Sequence, residues 1–178
     1  RSLERIKRST RDMEALIEAF LILARESDTG LPEEDFVIND LVREEIERAL
    51  PLVEGKPVKL DLVERGNFAL HASPRVFSVM IGNLIRNACL YTERGRVTVF
   101  VGNDFVRVLD TGLGIEQGAL ERVFQPFYRA GRNDGSGHGV GLSIVKRLSD
   151  RFGWPIDIRS EPGIGTTATV RFPHPQPI

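Results

Sequence analysis

Two asparagines, one aspartate and two sets of closely spaced glycines are the residues of this chain whose types and spacing suit chemistry. Asn83 and Asn87 stand four apart in a stretch with helical pattern, which projects both amides from one face. A pair of neutral oxygen donors suits a hard cation such as Mg2+, which keeps waters and borrows oxygens from a phosphate ligand. Asparagines so spaced also serve plain surfaces and loop contacts. "DTGLGI", residues 110–115, ends a strand-like run with Asp110 and follows it with Gly112 and Gly114. Glycine costs backbone entropy and adds no side chain, so this spacing implies close approach to something, and a ligand is the expected guest. Asp110 can accept a hydrogen bond from an exocyclic amine such as that of adenine, and it can equally cap the glycine turn. Gly137, Gly139 and Gly141, in "GSGHGVGLSIVK", open a helical pattern. Backbone N–H groups there can crowd around phosphate oxygens with the helix dipole behind them.

The elements that must position these residues follow from periodicity and breakers. "FVIND" reads as a short strand ending in a capping Asn39 or Asp40, before a helix through "LVREEIERAL" that Pro51 stops. "VKLDLV" and "FALHA" alternate as half-buried strands, and a Ser-Pro start opens a helix that runs to about Tyr91. "GRVTVFVGNDFVRVLD" reads as a hairpin turning at "GND", with Val97, Val99 and Val101 on one face. A short helix near "QGALERV", a helix from about Gly139 to Phe152, and strands "PIDIRS" and "TTATVRF" complete the chain. Three helices against an antiparallel-rich sheet make the expected fold class α/β, a two-layer sandwich.

Ahead of this unit, residues 1–27 lack Gly and Pro, and Leu3, Ile6, Thr10, Met13, Ile17, Phe20 and Ala24 recur at three- and four-residue steps. That is a heptad seam on a long N-terminal helix, about 40 Å at 1.5 Å per residue. Leu16, Leu21 and Leu23 widen the stripe to that of a bundle helix whose other members lie elsewhere; an amphipathic helix lying on its own domain is the alternative. Residues 28–35 read as a linker, 36–173 as the α/β domain and 174–178 as a tail. The start at Arg1, without an initiator Met or apolar signal core, reads as that of a piece of something longer.

Composition narrows the function classes. With 178 residues, 41% hydrophobic, 28% charged and a net charge of −1, the chain has the profile of an ordinary globular domain. A dedicated nucleic-acid binder would carry a basic surplus, so no nucleic-acid partner is expected. No apolar run reaches membrane-spanning length. The single cysteine, Cys89, lies in an apolar helical stretch and reads as core filler in a reducing compartment. Three scattered histidines and no Cys pair argue against structural zinc.

"NLIRNACLYT", "DTGLGI", "FQPFYR", "GHGVGLSIVK" and "GIGTTATVRFP" resemble, in order, the N, G1, F, G2 and G3 boxes of sensor histidine kinases of two-component systems. With their spacers they cover residues 36–173. The long first helix is similar to the second helix of the dimerisation and histidine-phosphotransfer domain that precedes this ATP-binding module. The resemblance implies the histidine kinase/gyrase-like ATP-binding fold, with ATP and Mg2+ as ligands. It implies Asn87 as the Mg2+ ligand, supported by Asn83, and Tyr91 in the nucleotide pocket. Asp110 would read the adenine amine, directly and through water shared with Thr166 or Thr167, while Gly112 and Gly114 let the strand end approach the base. Arg129 would reach the phosphates, with Arg86 as a further cation, and residues 130–138 would form a lid anchored by Phe124 and Phe127. Gly137, Gly139 and Gly141 would surround the triphosphate, with Leu142 beside them. The implied partners are a response regulator and a second copy of the full-length protein, and the implied location is the cytoplasmic side of a bacterial inner membrane.

Two departures accompany the resemblance. The family often has Lys or Arg where Leu90 stands, so a phosphate contact is missing. No phosphoacceptor motif surrounds His71, His138 or His174, so the acceptor histidine is expected upstream of Arg1 and the chain alone should not autophosphorylate. Relatives that hydrolyse ATP place a Glu one helical turn before the metal Asn; Asn83 stands there, and Ser73 through Thr92 contain no carboxylate. That pattern favours phosphoryl transfer over hydrolysis. A degenerate nucleotide-sensing or kinase-docking module is the alternative.

Overall fold

The computed structural model describes residues 10, 13, 17, 21, 22, 31–126, 128 and 139–178. Strand alternation builds its larger sheet: Val97, Val99 and Val101 of β4 (Gly95–Val101) are fully buried, as is Val106 of β5 (Phe105–Asp110). β4 and β5 form the expected hairpin, with the Gly102 N–H donating to the Phe105 carbonyl across the turn. β2 (Val58–Glu64) lies parallel to β4, while β6 (Ile156–Glu161) and β7 (Gly165–Arg171) extend the other edge antiparallel. The strand order is β2-β4-β5-β7-β6.

Three helices cover the inner face of this sheet: α1 (Ile38–Ala49), α2 (Pro74–Tyr91) and α4 (Gly141–Phe152). α2 lies between α1 and α4 and also meets β4 and β5. The short α3 (Gln117–Leu120) lies near β6. This is the expected two-layer sandwich, with one addition. β1 (Glu34–Val37), β3 (Phe68–Ala72) and β8 (Gln176–Pro177) make a second, three-stranded sheet in the order β1-β3-β8. Residues read as linker and tail thus supply strand pairs, Glu34 opposite Ala72 and Gln176 opposite Ala69. An aromatic cluster fastens this sheet to the core: Phe77 of α2 meets Phe36 and Phe172, and Phe172 meets Phe68 and Trp154 at centroid distances of 5.2–5.7 Å.

The start of α1 departs from expectation. Val37 occupies the N-cap position with no side-chain cap, and the helix already includes Asn39 and Asp40. Asn39 is buried and donates through Nδ2 to Glu64 Oε1 (2.7 Å) and to the Gly66 carbonyl (3.1 Å), pinning the β2–β3 turn to α1. A tertiary use of the amide has displaced the local one. Leu50–Leu52 then form a 3-10 turn containing Pro51, where α1 was expected to stop.

At the N-terminus, Thr10, Met13, Ile17, Leu21 and Ile22 are helical. Ile22 is buried in the core cluster, whereas Met13 and Ile17, both on the heptad seam, are each 55% exposed. Among the described residues no helix is long and apolar enough to cross a membrane.

Candidate functional site

A cleft with about 380 Å3 of space, open solvent at its mouth included, lies between α2, α4 and the inner face of β5, β6 and β7. Its walls are apolar: Leu84 and Ala88 from α2, Leu142 from α4, Val108, Ile158 and Ala168 from the sheet, and Ile115. Three polar side chains converge in it, Asn87, Asp110 and Thr166. A mostly apolar ligand with a few polar groups suits this lining.

Asp110 is the last residue of β5 and pairs in register with Thr166 of β7. Its Oδ1 accepts the Gly112 N–H at 2.8 Å and the Thr166 N–H at 3.3 Å. Among the described residues no donor reaches Oδ2, which leaves that oxygen for a donor in the cleft. Burial raises the Asp110 pKa, and the two backbone N–H groups oppose the rise. The carboxylate therefore caps the glycine turn, one of the two uses the sequence left open, while lining the cleft.

The glycines behind Asp110 are required by the protein's own backbone. A Cβ on Gly112 would stand 2.5 Å from the Tyr91 carbonyl oxygen and 3.0 Å from Thr92 Oγ1. Gly114 has φ +68° and faces the Glu161 carbonyl so closely that a Cβ would overlap it. The turn is thus wedged between the end of α2 and the β6–β7 connection, where the Gly163 N–H donates to the Leu113 carbonyl at 2.7 Å. The anticipated close approach is real, and the guest is the fold itself.

Gly141 plays a comparable part at the other end. It is the first residue of α4, and a Cβ there would lie 3.1 Å from Asn83 Oδ1 and 3.3–3.4 Å from the Asn87 amide. Its absence brings the α4 N-terminus against both asparagines. Asn83 is buried and donates through Nδ2 to the Val79 carbonyl at 2.7 Å, so its amide is anchored to its own helix with Oδ1 turned to α4. Asn87 is only half-buried and lines the cleft.

The other expected site residues divide. Tyr91 lies at the end of α2, where its carbonyl accepts the Leu113 N–H at 3.4 Å; its ring is not part of the cleft lining. Thr166 faces the cleft, and alternation along β7 turns Thr167 to the opposite face of the sheet. Gly139 has φ +70°, two residues before α4. Arg129, Gly137, Phe127 and the expected lid at 130–138 lie outside the described residues. Leu90 is buried. Cys89 is fully buried with its thiol pushed up to about 11, which suits core filler.

Ser160 was not singled out in the sequence. Its Oγ accepts the Ile115 N–H (2.8 Å), donates to the Gly165 carbonyl (3.0 Å) and contacts Thr166 Oγ1 (2.8 Å). The alternation of "PIDIRS", which puts Ile156, Ile158 and Ser160 on one face, was the available signal.

The class of protein follows from this sandwich and cleft together with residues 73–176, which match the family of histidine kinase-, DNA gyrase B- and HSP90-like ATPases: the chain belongs to that family. Its relatives include sensor histidine kinase RcsC of Escherichia coli (strain K12), 36% identical over 112 residues, which are 59% of this chain and 12% of RcsC. Sensor protein IrlS of Burkholderia pseudomallei is 34% identical over 131 residues, covering 69% of this chain and 28% of IrlS. Sensor protein TorS of E. coli (strain K12) is 28% identical over 164 residues, covering 89% of this chain and 18% of TorS. The chain thus spans a small part of these relatives. Among solved structures, full-length ShkA in complex with AMPPNP superposes with a TM-score of 0.75 at 26% identity, over 95% of this chain and 37% of ShkA. The mycobacterial sensor histidine kinase MprB shares the fold, with a TM-score of 0.69 at 19% identity over 83% of this chain and 100% of that one.

Proposed function

We propose that this chain is the ATP-binding catalytic part of a sensor histidine kinase, and that it delivers the γ-phosphoryl group of ATP to a histidine on a separate helical segment. The observation that carries the reading is Asp110: a half-buried carboxylate at the floor of an apolar cleft, held on one oxygen by two backbone N–H groups. Its other oxygen would accept the adenine amine, with the base between the walls formed by Leu84, Ala88, Ile115 and Leu142. The phosphates would then run toward Asn87 and the N-terminus of α4, a 12-residue helix whose dipole favours anions.

The residues present fit Mg2+ in the manner of a nucleotide-borne ion. Among the described residues no cluster of three His, Cys, Asp or Glu side chains exists to hold a metal alone. Asn87 offers one neutral oxygen beside the helix start, and the remaining ligands would be phosphate oxygens and water. The ion would supply neutralisation of phosphate charge. Asn83, back-bonded to Val79 and abutting Gly141, would keep Asn87 and α4 at their mutual distance.

Among the described residues, the carboxylate inventory favours transfer over hydrolysis. Asp110 is the carboxylate among the described residues lining the cleft, and its position beside the β5 end suits a base edge. Glu45, which packs on α2, does so at Gly82 and is engaged by Arg48 and Ser78. With the phosphates running toward Asn87, neither would orient water on the γ-phosphate. Catalysis would rest on positioning and charge stabilisation. A response-regulator aspartate would receive the phosphoryl group, and the complete protein would act as a homodimer with this part on the cytoplasmic side of the inner membrane.

Incubation with γ-labelled ATP and Mg2+ tests the reading. The chain alone should stay unlabelled, and a helical-hairpin acceptor domain added in trans should gain acid-labile phosphohistidine. Nucleotide binding without any transfer would favour a nucleotide-sensing module, to which the missing cation at Leu90 already points. Steady release of phosphate without an acceptor would contradict the transferase reading.

A further inference from the structure

Resting on the adenine reading of Asp110, we infer that Ser160 is a positioning residue that sets the hydrogen-bond polarity of the base-reading end, making Thr166 an acceptor. The inference follows from counting protons. A serine hydroxyl has one proton to give and two lone pairs to receive. Ser160 Oγ already receives the Ile115 N–H at 2.8 Å, and two acceptors stand within its reach, the Gly165 carbonyl at 3.0 Å and Thr166 Oγ1 at 2.8 Å. The carbonyl can only accept, whereas the threonine hydroxyl can turn. Every group is satisfied in one arrangement: Ser160 donates to the Gly165 carbonyl, and Thr166 donates its own proton to Ser160.

The consequence lies in the cleft. With its proton directed to Ser160, Thr166 presents lone pairs there, beside an Asp110 carboxylate that can only accept when ionised. Both groups then ask for a donor on the ligand, and the 6-amino group of adenine is one. Hypoxanthine and guanine carry an oxygen at that position and would meet two acceptors, with an unmatched polar contact in a half-buried site. The same serine ties Ile115, a cleft wall, to β7, and Gly165 packs so close to the Asp110 carbonyl that a Cβ would overlap it. Ser160 therefore couples the turn after β5, the start of β7 and the Thr166 hydroxyl.

Competition between Mg–ATP and Mg–ITP, measured by titration calorimetry, tests this assignment. The wild-type chain should prefer ATP. Ser160→Ala frees the Thr166 hydroxyl to turn and donate, so the ATP-over-ITP preference should fall by about tenfold, the scale of one hydrogen bond. Ser160→Thr, which keeps the hydroxyl, should retain the preference. Thr166→Val should reproduce the loss, and adding Ser160→Ala to it should change the preference no further. Should Ser160→Ala fail to fold, Thr166→Val and Ser160→Thr still decide the matter. Full preference in Thr166→Val or in a folded Ser160→Ala overturns the role of Ser160. A wild-type chain indifferent to the two nucleotides, or an Asp110→Asn chain that keeps the wild-type preference, would instead overturn the adenine reading itself.

Discussion

The Gly112 backbone N–H donates to Asp110 Oδ1 at 2.8 Å, so the carboxylate that faces the cleft also closes the turn that follows it. Burial nevertheless raises the Asp110 pKa. A folded-state value above the unfolded one means that the native state binds the extra proton. The stability contribution is present below the unfolded carboxylate range and is lost as pH rises through the folded pKa. At neutral pH the ionised group is a cost that ligand binding would justify. Asp110→Asn should therefore hold or raise the urea midpoint at pH 7, and its advantage over wild type should shrink as pH falls through the carboxylate range. Urea titrations of both proteins at several pH values check this.

Gly114 should tolerate no side chain. Its positive φ and the Glu161 carbonyl facing it leave neither the conformation nor the space for a Cβ. Gly114→Ala should destabilise the chain by at least about 1–3 kcal/mol, the usual cost of a strained backbone position. The shift in denaturation midpoint is the readout, and an unchanged midpoint would show that the turn has somewhere else to go.

Gly141→Ala should separate binding from folding. The added methyl would sit 3.1–3.4 Å from the Asn83 and Asn87 amides, a contact relieved by shifts of a few tenths of an ångström. Alanine also suits a helix better than glycine. Stability should therefore change by no more than about 0.5 kcal/mol, the range of a mild substitution. Mg–ATP affinity, which depends on where those amides and the α4 N-terminus stand, should drop by about tenfold, or 1.4 kcal/mol. Calorimetry and thermal denaturation on one sample measure both.

Lys56 should prove to be the C-terminal cap of α2. Its Nζ donates to the Cys89 carbonyl at 3.1 Å and to the Thr92 carbonyl at 3.5 Å, where a cation also complements the helix dipole. Lys56→Met should cost about 0.5–1 kcal/mol, the scale of such end contacts, with the loss seen by chemical denaturation.

Much of this architecture was legible because periodicity and burial agree. The valines of β4 alternate into a fully buried row, and the Ser-Pro start and apolar stripe of α2 both came through in the fold. The expected cap at Asn39 or Asp40 fails, and for Asn39 the reason is non-local: Glu64 and Gly66, 25 and 27 residues away, take its amide, about which local propensity says nothing. The parallel pairing of β2 with β4, and the transfer of β3 to a second sheet, are equally non-local. In the site, glycine spacing signalled close approach and a ligand was the expected guest, whereas the atoms that crowd Gly112, Gly114 and Gly141 in the fold belong to Tyr91, Glu161 and the two asparagines. Thr166 and Thr167 could not be told apart until β7 had a register, which follows from its pairing with Asp110.

Titration of the chain with Mg–ATP, beside Asp110→Asn, tests the central claim most directly. The wild-type chain should bind Mg–ATP, and the variant, folded at least as stably, should lose tenfold or more in affinity, as expected when a charged acceptor is removed. Undiminished affinity in the Asp110→Asn protein would contradict the account, because the cleft would then hold the nucleotide without the carboxylate said to read its base.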